Sequence, residues 1–150
     1  MFLATKLFLP PLPAGAVHRD RLYSALDDSW AAGARLLLLS APPGYGKTTL
    51  LSVWVQQRGI PCAWVSLDAS DSDPARFFLL LLQALKPYLP ALEGLESVLK
   101  LPRGADFESL AVEVVNAAVH LEQPLLVALD DYHSITSTAV HDLVQFLLEH

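Results

Sequence analysis

The chain has 150 residues, 53% of them hydrophobic and 17% charged, which excludes a disordered protein and supplies one ordinary domain with enough apolar side chains for a core. Ten basic against sixteen acidic residues leave a net charge of −6, which argues against a general nucleic-acid-binding surface. One cysteine, Cys62, excludes an internal disulfide and suits a reducing compartment.

Residues 1–16 are an expected extended lead-in, because Pro10, Pro11, Pro13 and Gly15 interrupt any regular element. The prolines also break the continuous apolar stretch that a signal peptide needs. The longest strong apolar run, Phe77–Leu82, is six residues, against the roughly 18–20 that span a bilayer. A cytoplasmic chain with no membrane contact is therefore expected.

Residues 18–33 place Leu22, Leu26 and Trp30 at four-residue spacing, which predicts an amphipathic helix ending near Gly33. The apolar run Leu36–Leu39, halted by Ser-Ala-Pro-Pro-Gly, predicts a strand buried on both faces. A helix starting at Thr48 should bury Leu50, Leu51, Trp54 and Val55 and stop at Gly59-Ile60-Pro61. Cys62–Leu67 predicts a second buried strand. Asp73 then offers an N-cap and Pro74 a first helical residue for a deeply buried helix through Phe77–Leu85.

Residues 87–104 hold three prolines and two glycines and predict a flexible connection. Phe107, Leu110, Ala111, Val114, Ala118 and Leu121 recur at helical spacing, and Leu125–Leu129 predicts a third buried strand ended by Asp130-Asp131. A last helix carries Val140, Leu143, Val144, Leu147 and Leu148. Strands alternating with helices of this length predict an α/β fold with a mainly parallel sheet.

Chemistry concentrates in two places. Gly44-Tyr45-Gly46-Lys47-Thr48-Thr49 lies between the first predicted strand and its helix. Glycines let successive backbone N–H groups converge on an anion, and a helix N-terminus adds partial positive charge. In such a phosphate loop Lys47 reaches the β- and γ-phosphates and the Thr48 hydroxyl ligates Mg²⁺. The pattern G-x-x-x-x-G-K-[ST] has Ala41 at its first position here. The second place is the end of Leu125–Leu129, where an apolar strand delivers Asp130 and Asp131. Asp130 is the candidate holder of the metal, and Asp131 the candidate to orient or deprotonate an attacking water.

Weaker candidates have structural explanations. Asp68, Asp71 and Asp73 are explained by turn formation and capping, and Trp54 and Trp64 by the core. His133 is read as a solvated loop residue, with phosphate sensing through Asp131 as the alternative. Arg19 and Arg21 divide evenly between surface charge and function.

The wording of several stretches resembles one family. They are Thr5-Lys6-Leu7 with Pro10-Pro11; Val17-His18-Arg19-Asp20-Arg21-Leu22; and Leu39-Ser40-Ala41-Pro42-Pro43-Gly44-Tyr45-Gly46-Lys47-Thr48-Thr49-Leu50. Ala63-Trp64-Val65-Ser66-Leu67-Asp68, Asp71-Ser72-Asp73-Pro74 with Phe77, and Leu129-Asp130-Asp131-Tyr132-His133 complete the set. The run from Thr5 to His150 is similar to the N-terminal part of the ATPase module in large LuxR-type transcriptional regulators, the MalT-like group of STAND signalling ATPases.

That resemblance implies a P-loop NTPase, three layers α/β/α, with residues 17–150 forming part of the domain. It implies ATP or ADP with Mg²⁺ as ligands, and it lays Val17 and Arg19 against the adenine. It also implies a slowly hydrolysing switch: ADP holds a resting form, while ATP permits self-association of the full regulator. DNA is bound only through a C-terminal domain that this chain lacks. In that class a further strand, inserted between the P-loop strand and the Asp-Asp strand, carries a sensor residue and would follow residue 150. A fragment ending before that strand, with weak or absent ATPase activity, is the expectation.

Two other functions compete. A P-loop small-molecule kinase needs a basic lid, whereas the last 92 residues hold only four basic side chains. A non-catalytic remnant would bind a partner through its apolar helices.

Overall fold

The computed structural model describes residues 4–12, 14–15, 17, 19–99 and 106–150. Pro13 of the lead-in, Ala16, His18 of the N-terminal motif and residues 100–105 of the Pro/Gly-rich connection lie outside them. Two compact units divide the chain: Leu9–Ile60, and Met1–Phe8 together with Pro61–His150.

In the unit Leu9–Ile60, two helices carry the order. Helix α1 spans Asp20–Ala31 and α2 spans Lys47–Arg58. Tyr23 and Leu26 are the buried residues of α1, whereas Leu22 is 40% exposed. The buried stripe is thus shifted from the predicted spacing, with Tyr23 taking the place given to Leu22. Helix α2 buries Leu50, Ser52, Val53, Trp54 and Val55, and Gly59 ends it in a left-handed C-cap (φ 62°) that a side chain would strain.

Trp54 is the centre of this unit. It is fully buried, lies edge-on to Trp30 with ring centroids 6.2 Å apart, and donates its indole N–H to Asp27 Oδ1 at 2.8 Å. Arg58 closes the same contact through a bidentate pair with Asp27, at 2.9 and 2.7 Å. The lead-in is tied to α2, since the Pro10 carbonyl accepts from Ser52 Oγ and from Gln56 Nε2.

The predicted strand at Leu36–Leu39 is corrected by the structure. Residues 36–40 belong to no sheet, and Leu36 and Leu38 are 61% and 80% exposed. Apolar composition alone predicts burial, but a strand exists only where a neighbour pairs with its N–H and C=O groups.

The other unit is built on two parallel strands, β1 (Cys62–Ser66) and β2 (Leu126–Asp130), in the register Cys62↔Leu126 to Ser66↔Asp130. Parallel pairing requires a crossover, and helices α3 (Pro74–Leu85), α4 (Leu95–Val98) and α5 (Phe107–Ala118) supply it. Helix α6 (Thr138–Glu149) follows β2. Ala63, Trp64 and Val65 of β1 are buried, as its apolar run predicts. In β2 only Ala128 is buried and Val127 is 40% exposed, so the expectation of a fully buried third strand is corrected. The mainly parallel α/β expectation holds for the two strands among the described residues.

Helix α3 forms where the sequence places its start. The Asp73 carboxylate accepts the Arg76 N–H at 2.8 Å and Pro74 opens the first turn. Phe77, Phe78, Leu80, Leu81, Leu82, Ala84 and Leu85 are all buried. Each large apolar side chain among them contributes about 1.5–3 kcal/mol on burial. Leu110, Ala111 and Val114 of α5, with Val140 and Leu143 of α6, complete this core. The predicted flexible connection after α3 is corrected over its described part: Pro90–Leu92 forms a 3-10 turn, α4 follows, and Leu89 and Leu92 are buried. Cys62 is half-buried, and burial pushes its thiol up to about 11, so it is a poor nucleophile at neutral pH. Among the described residues no helix is long and apolar enough to cross a membrane.

Candidate functional site

The phosphate-loop residues lie in the unit Leu9–Ile60. Gly44 and Gly46 both adopt left-handed backbone, at φ 82° and 76°. Gly46 is the N-cap of α2 and makes no side-chain cap, so the amides of the first helical turn are not capped from that position. Ala41, at the first position of the pattern, has no positive φ. Its methyl group is therefore tolerated, and the departure from glycine costs no backbone strain.

Lys47 is folded back over the loop. Its Nζ donates to the carbonyls of Ala41 at 2.7 Å and Pro42 at 3.2 Å. Arg19 reaches the same loop from just before α1, donating from Nη1 to the Tyr45 carbonyl at 3.2 Å. Two cations thus converge on one glycine loop, each held by a backbone carbonyl.

Beside them is a hollow of about 130 Å³ lined by Val17, Arg19, Tyr23, Gly46, Thr49 and Leu50. Pockets that enclose a drug-sized ligand are roughly 300–1,000 Å³, so these six residues would embrace only part of a nucleotide. Val17 is 75% exposed and Tyr45 is 61% exposed. The structure brings Val17 and Arg19 together with Gly46 and Thr49, four of the residues singled out from sequence. Sequence reasoning missed Tyr23 and Leu50 in this role: the predicted stripe of α1 runs through Leu22 in place of Tyr23, and Leu50 is assigned to the core.

The donor set fits an anionic ligand. It comprises the helix N-terminus that opens at Gly46, a lysine, the guanidinium of Arg19 and the Thr48 hydroxyl at the second helical position. These are the groups that would hold the phosphates of a nucleotide.

The Asp pair lies in the other unit, at the end of β2. Asp130 is the last residue of the strand, and its Oδ1 accepts the Asp131 N–H at 3.1 Å. Asp131 has φ 56° and ψ 32°, and it is the one non-glycine residue with positive φ among those described. A left-handed L-residue costs on the order of 1–2 kcal/mol, less for aspartate, so neighbouring contacts must hold it. Two contacts of matching size are adjacent. The Tyr132 hydroxyl and His141 Nδ1 share a hydrogen bond of 2.7 Å, and their rings meet edge-on with centroids 5.5 Å apart. Such a hydrogen bond contributes about 0.5–1.5 kcal/mol and such a ring contact a similar amount.

Asp131 opens the 3-10 turn Tyr132–Ser134 without a side-chain cap. A capping role therefore does not account for its carboxylate. His133 Nδ1 stands 3.8 Å from Asp131 Oδ1, and both side chains are more than half exposed. That geometry agrees with a solvated loop histidine.

Asp68, Asp71 and Asp73 are structural, in line with the capping explanation. Asp68 caps the 3-10 turn Ala69–Ser72, and Asp71 accepts the Asp68 N–H at 2.9 Å to complete a capping box. The Asp71 side chain is wholly buried and accepts from Lys6 Nζ and from Arg76 Nε, the latter at 2.7 Å. Burial works to raise its pKa, but the bonds from Lys6 and Arg76 prevail and hold the carboxyl below its ordinary value. Lys6, at 2.6 Å from Asp68 as well, holds that carboxyl down in turn, with help from Ser70. Among the described residues no group of three or more His, Cys, Asp or Glu side chains is placed to hold a metal ion.

No family model matches the chain. Individual proteins do, among them HTH-type transcriptional regulators. The chain is 34% identical over 151 residues to MalT of Yersinia enterocolitica, 35% over 153 residues to that of Serratia proteamaculans, and 36% over 155 residues to that of Yersinia pestis. In each case the alignment takes in 100% of this chain and 16% of the regulator. The chain is thus MalT-like from end to end and spans about a sixth of the length of these relatives.

Proposed function

We propose that this chain is the nucleotide-binding part of a MalT-like transcriptional regulator, a switch segment that takes ATP or ADP with Mg²⁺. The observation that carries the reading is the start of α2: a left-handed Gly46 opens the helix, and Lys47 and Arg19 both reach over the same loop. Lys47 would exchange the Ala41 and Pro42 carbonyls for phosphate oxygens. Val17 and Arg19 would lie against the base, as the family resemblance implies. Thr48 and Asp130 are proposed for Mg²⁺, and Asp131 for the attacking water.

Bound Mg·ATP would supply the phosphoryl group whose loss resets the switch. Self-association of the whole regulator in its ATP-bound form, and DNA binding through another part of it, belong to the same proposal. The P-loop fold is supported by the glycine loop that leads directly into α2 and by the parallel pairing of β1 with β2 through a helical crossover.

The test is calorimetry of Mg·ATP and Mg·ADP on the purified chain, with Lys47→Ala alongside. The variant should bind at least about tenfold more weakly, the loss of one charge-assisted contact. Equal affinity in both proteins overturns the site. A folded chain that binds neither nucleotide favours instead a partner-binding role, for which the exposed Leu36 and Leu38 are the best surface.

A further inference from the structure

The turn after β2 is pinned at several points, and each has a separate cause. Ile135 is buried, the Thr136 N–H donates to Ser72 Oγ at 3.1 Å, and the Ser134 N–H donates to the Asp131 carbonyl at 2.9 Å. The Ile135 N–H also donates to the Tyr132 carbonyl at 3.0 Å. These bonds hold the backbone of the turn, while the partly buried Tyr132 ring packs against the core and its hydroxyl is held by His141 of α6 through the 2.7 Å bond and the edge-on ring contact. Tyr132 is the residue next to Asp131, so fixing its side chain restricts the peptide that Asp131 shares with it.

We propose that Tyr132 and His141 are a positioning couple that locks Asp131 in its left-handed backbone and thereby sets where its carboxylate points. The inference rests on the reading that Asp131 serves the attacking water. His141 lies ten residues beyond Asp131 on a different element, and no carboxylate or phosphate role is asked of it. When Nδ1 is the unprotonated nitrogen, the phenol donates and the imidazole accepts. The bond ties α6 to the turn. Any tilt of α6 would then be transmitted to Asp131 through one side-chain pair.

The test uses the isotope-labelled 150-residue chain and three variants, Tyr132→Phe, His141→Ala and His141→Asn. The last places an amide oxygen near the position of Nδ1. The HN–Hα coupling and the Cα and Cβ shifts of Asp131 report its backbone directly. They should be left-handed in the parent and in His141→Asn, and averaged in the other two.

Phosphate release from Mg·ATP, followed in parallel, should fall roughly tenfold at an unchanged KM in those two. It should be no lower in the double variant, and it should recover in His141→Asn. A left-handed Asp131 in both Tyr132→Phe and His141→Ala overturns the couple, as does unaltered phosphate release once Asp131 has left that conformation. Asp131→Asn separates the two layers. Release at the parent rate in that variant overturns the reading of Asp131 itself, while the couplings still decide whether Tyr132 and His141 hold its backbone.

Discussion

Lys47 Nζ lies 2.7 Å from the carbonyl of Ala41, the residue that stands where the phosphate-loop pattern has its first glycine. The lysine spans its own loop, and its bonds to the Ala41 and Pro42 carbonyls stabilise the bend. The loop geometry is therefore set by chain contacts, with Gly44 and Gly46 taking the two left-handed positions.

Gly46→Ala tests that geometry. The added Cβ would meet nothing closer than Arg19 Nη2, at 3.8 Å, so space is not the obstacle. The φ of 76° is, and the substitution should cost about 1 kcal/mol in urea denaturation followed by tryptophan fluorescence. Gly46→Asn, better tolerated in left-handed backbone, should recover part of the loss. Ala41→Gly should give no gain, because Ala41 is unstrained.

Asp71→Asn should destabilise the unit containing β1 and β2 by about 3 kcal/mol, since it removes the buried partner of two cations. Lys6→Ala should cost less, because Arg76 still satisfies Asp71. Thermal unfolding of both variants checks the order. An equal loss in the two would mean that the Lys6–Asp68 pair contributes as much as the second partner of Asp71.

Asp27 makes the stability of the unit Leu9–Ile60 sensitive to acid. The Arg58 hydrogen bonds, and then that from Trp54, hold its carboxyl down at about 2, against an ordinary value of about 3.9. A depressed folded-state pKa stabilises fully above the unfolded value. That contribution is lost as pH falls from about 4 towards 2. Melting temperatures across this range should drop for the parent, and the drop should be shallower for Asp27→Asn, which starts from a lower stability at neutral pH.

Leu36→Ser with Leu38→Ser should leave the melting temperature within about 2 °C, since both side chains are already mostly in water. Light scattering at rising concentration should fall in the double variant, because an unpaired apolar segment is a template for association. A large loss of stability would show that these leucines are packed in solution.

Much of the local structure was legible in the sequence because its causes are local. Asp73-Pro74 starts α3, Gly59 ends α2, and most of Phe77–Leu85 is buried, each from a signal within a few residues. The candidate loop was legible for the same reason: glycines, lysine and threonine sit in consecutive positions. The two strands that pair were placed to within one residue of the predicted runs.

What failed were two of the inferences from an apolar run to its surroundings. Leu36–Leu39 has the composition of a buried strand and Val127 lies in one, yet exposure depends on whether another strand or helix arrives to cover them, which is a non-local fact. The same limit hid Tyr23 as a wall of the hollow, Lys6 as the partner of a buried carboxylate 65 residues away, and His141 as the partner of Tyr132. The sequence by itself determined where helices start and stop and which residue types sit on the loop and at the strand end, because propensity, capping and spacing act within one or two turns. Only the tertiary structure decided which charges pair, which aspartate takes a strained backbone and which leucines stay in water, because those depend on groups brought together by packing.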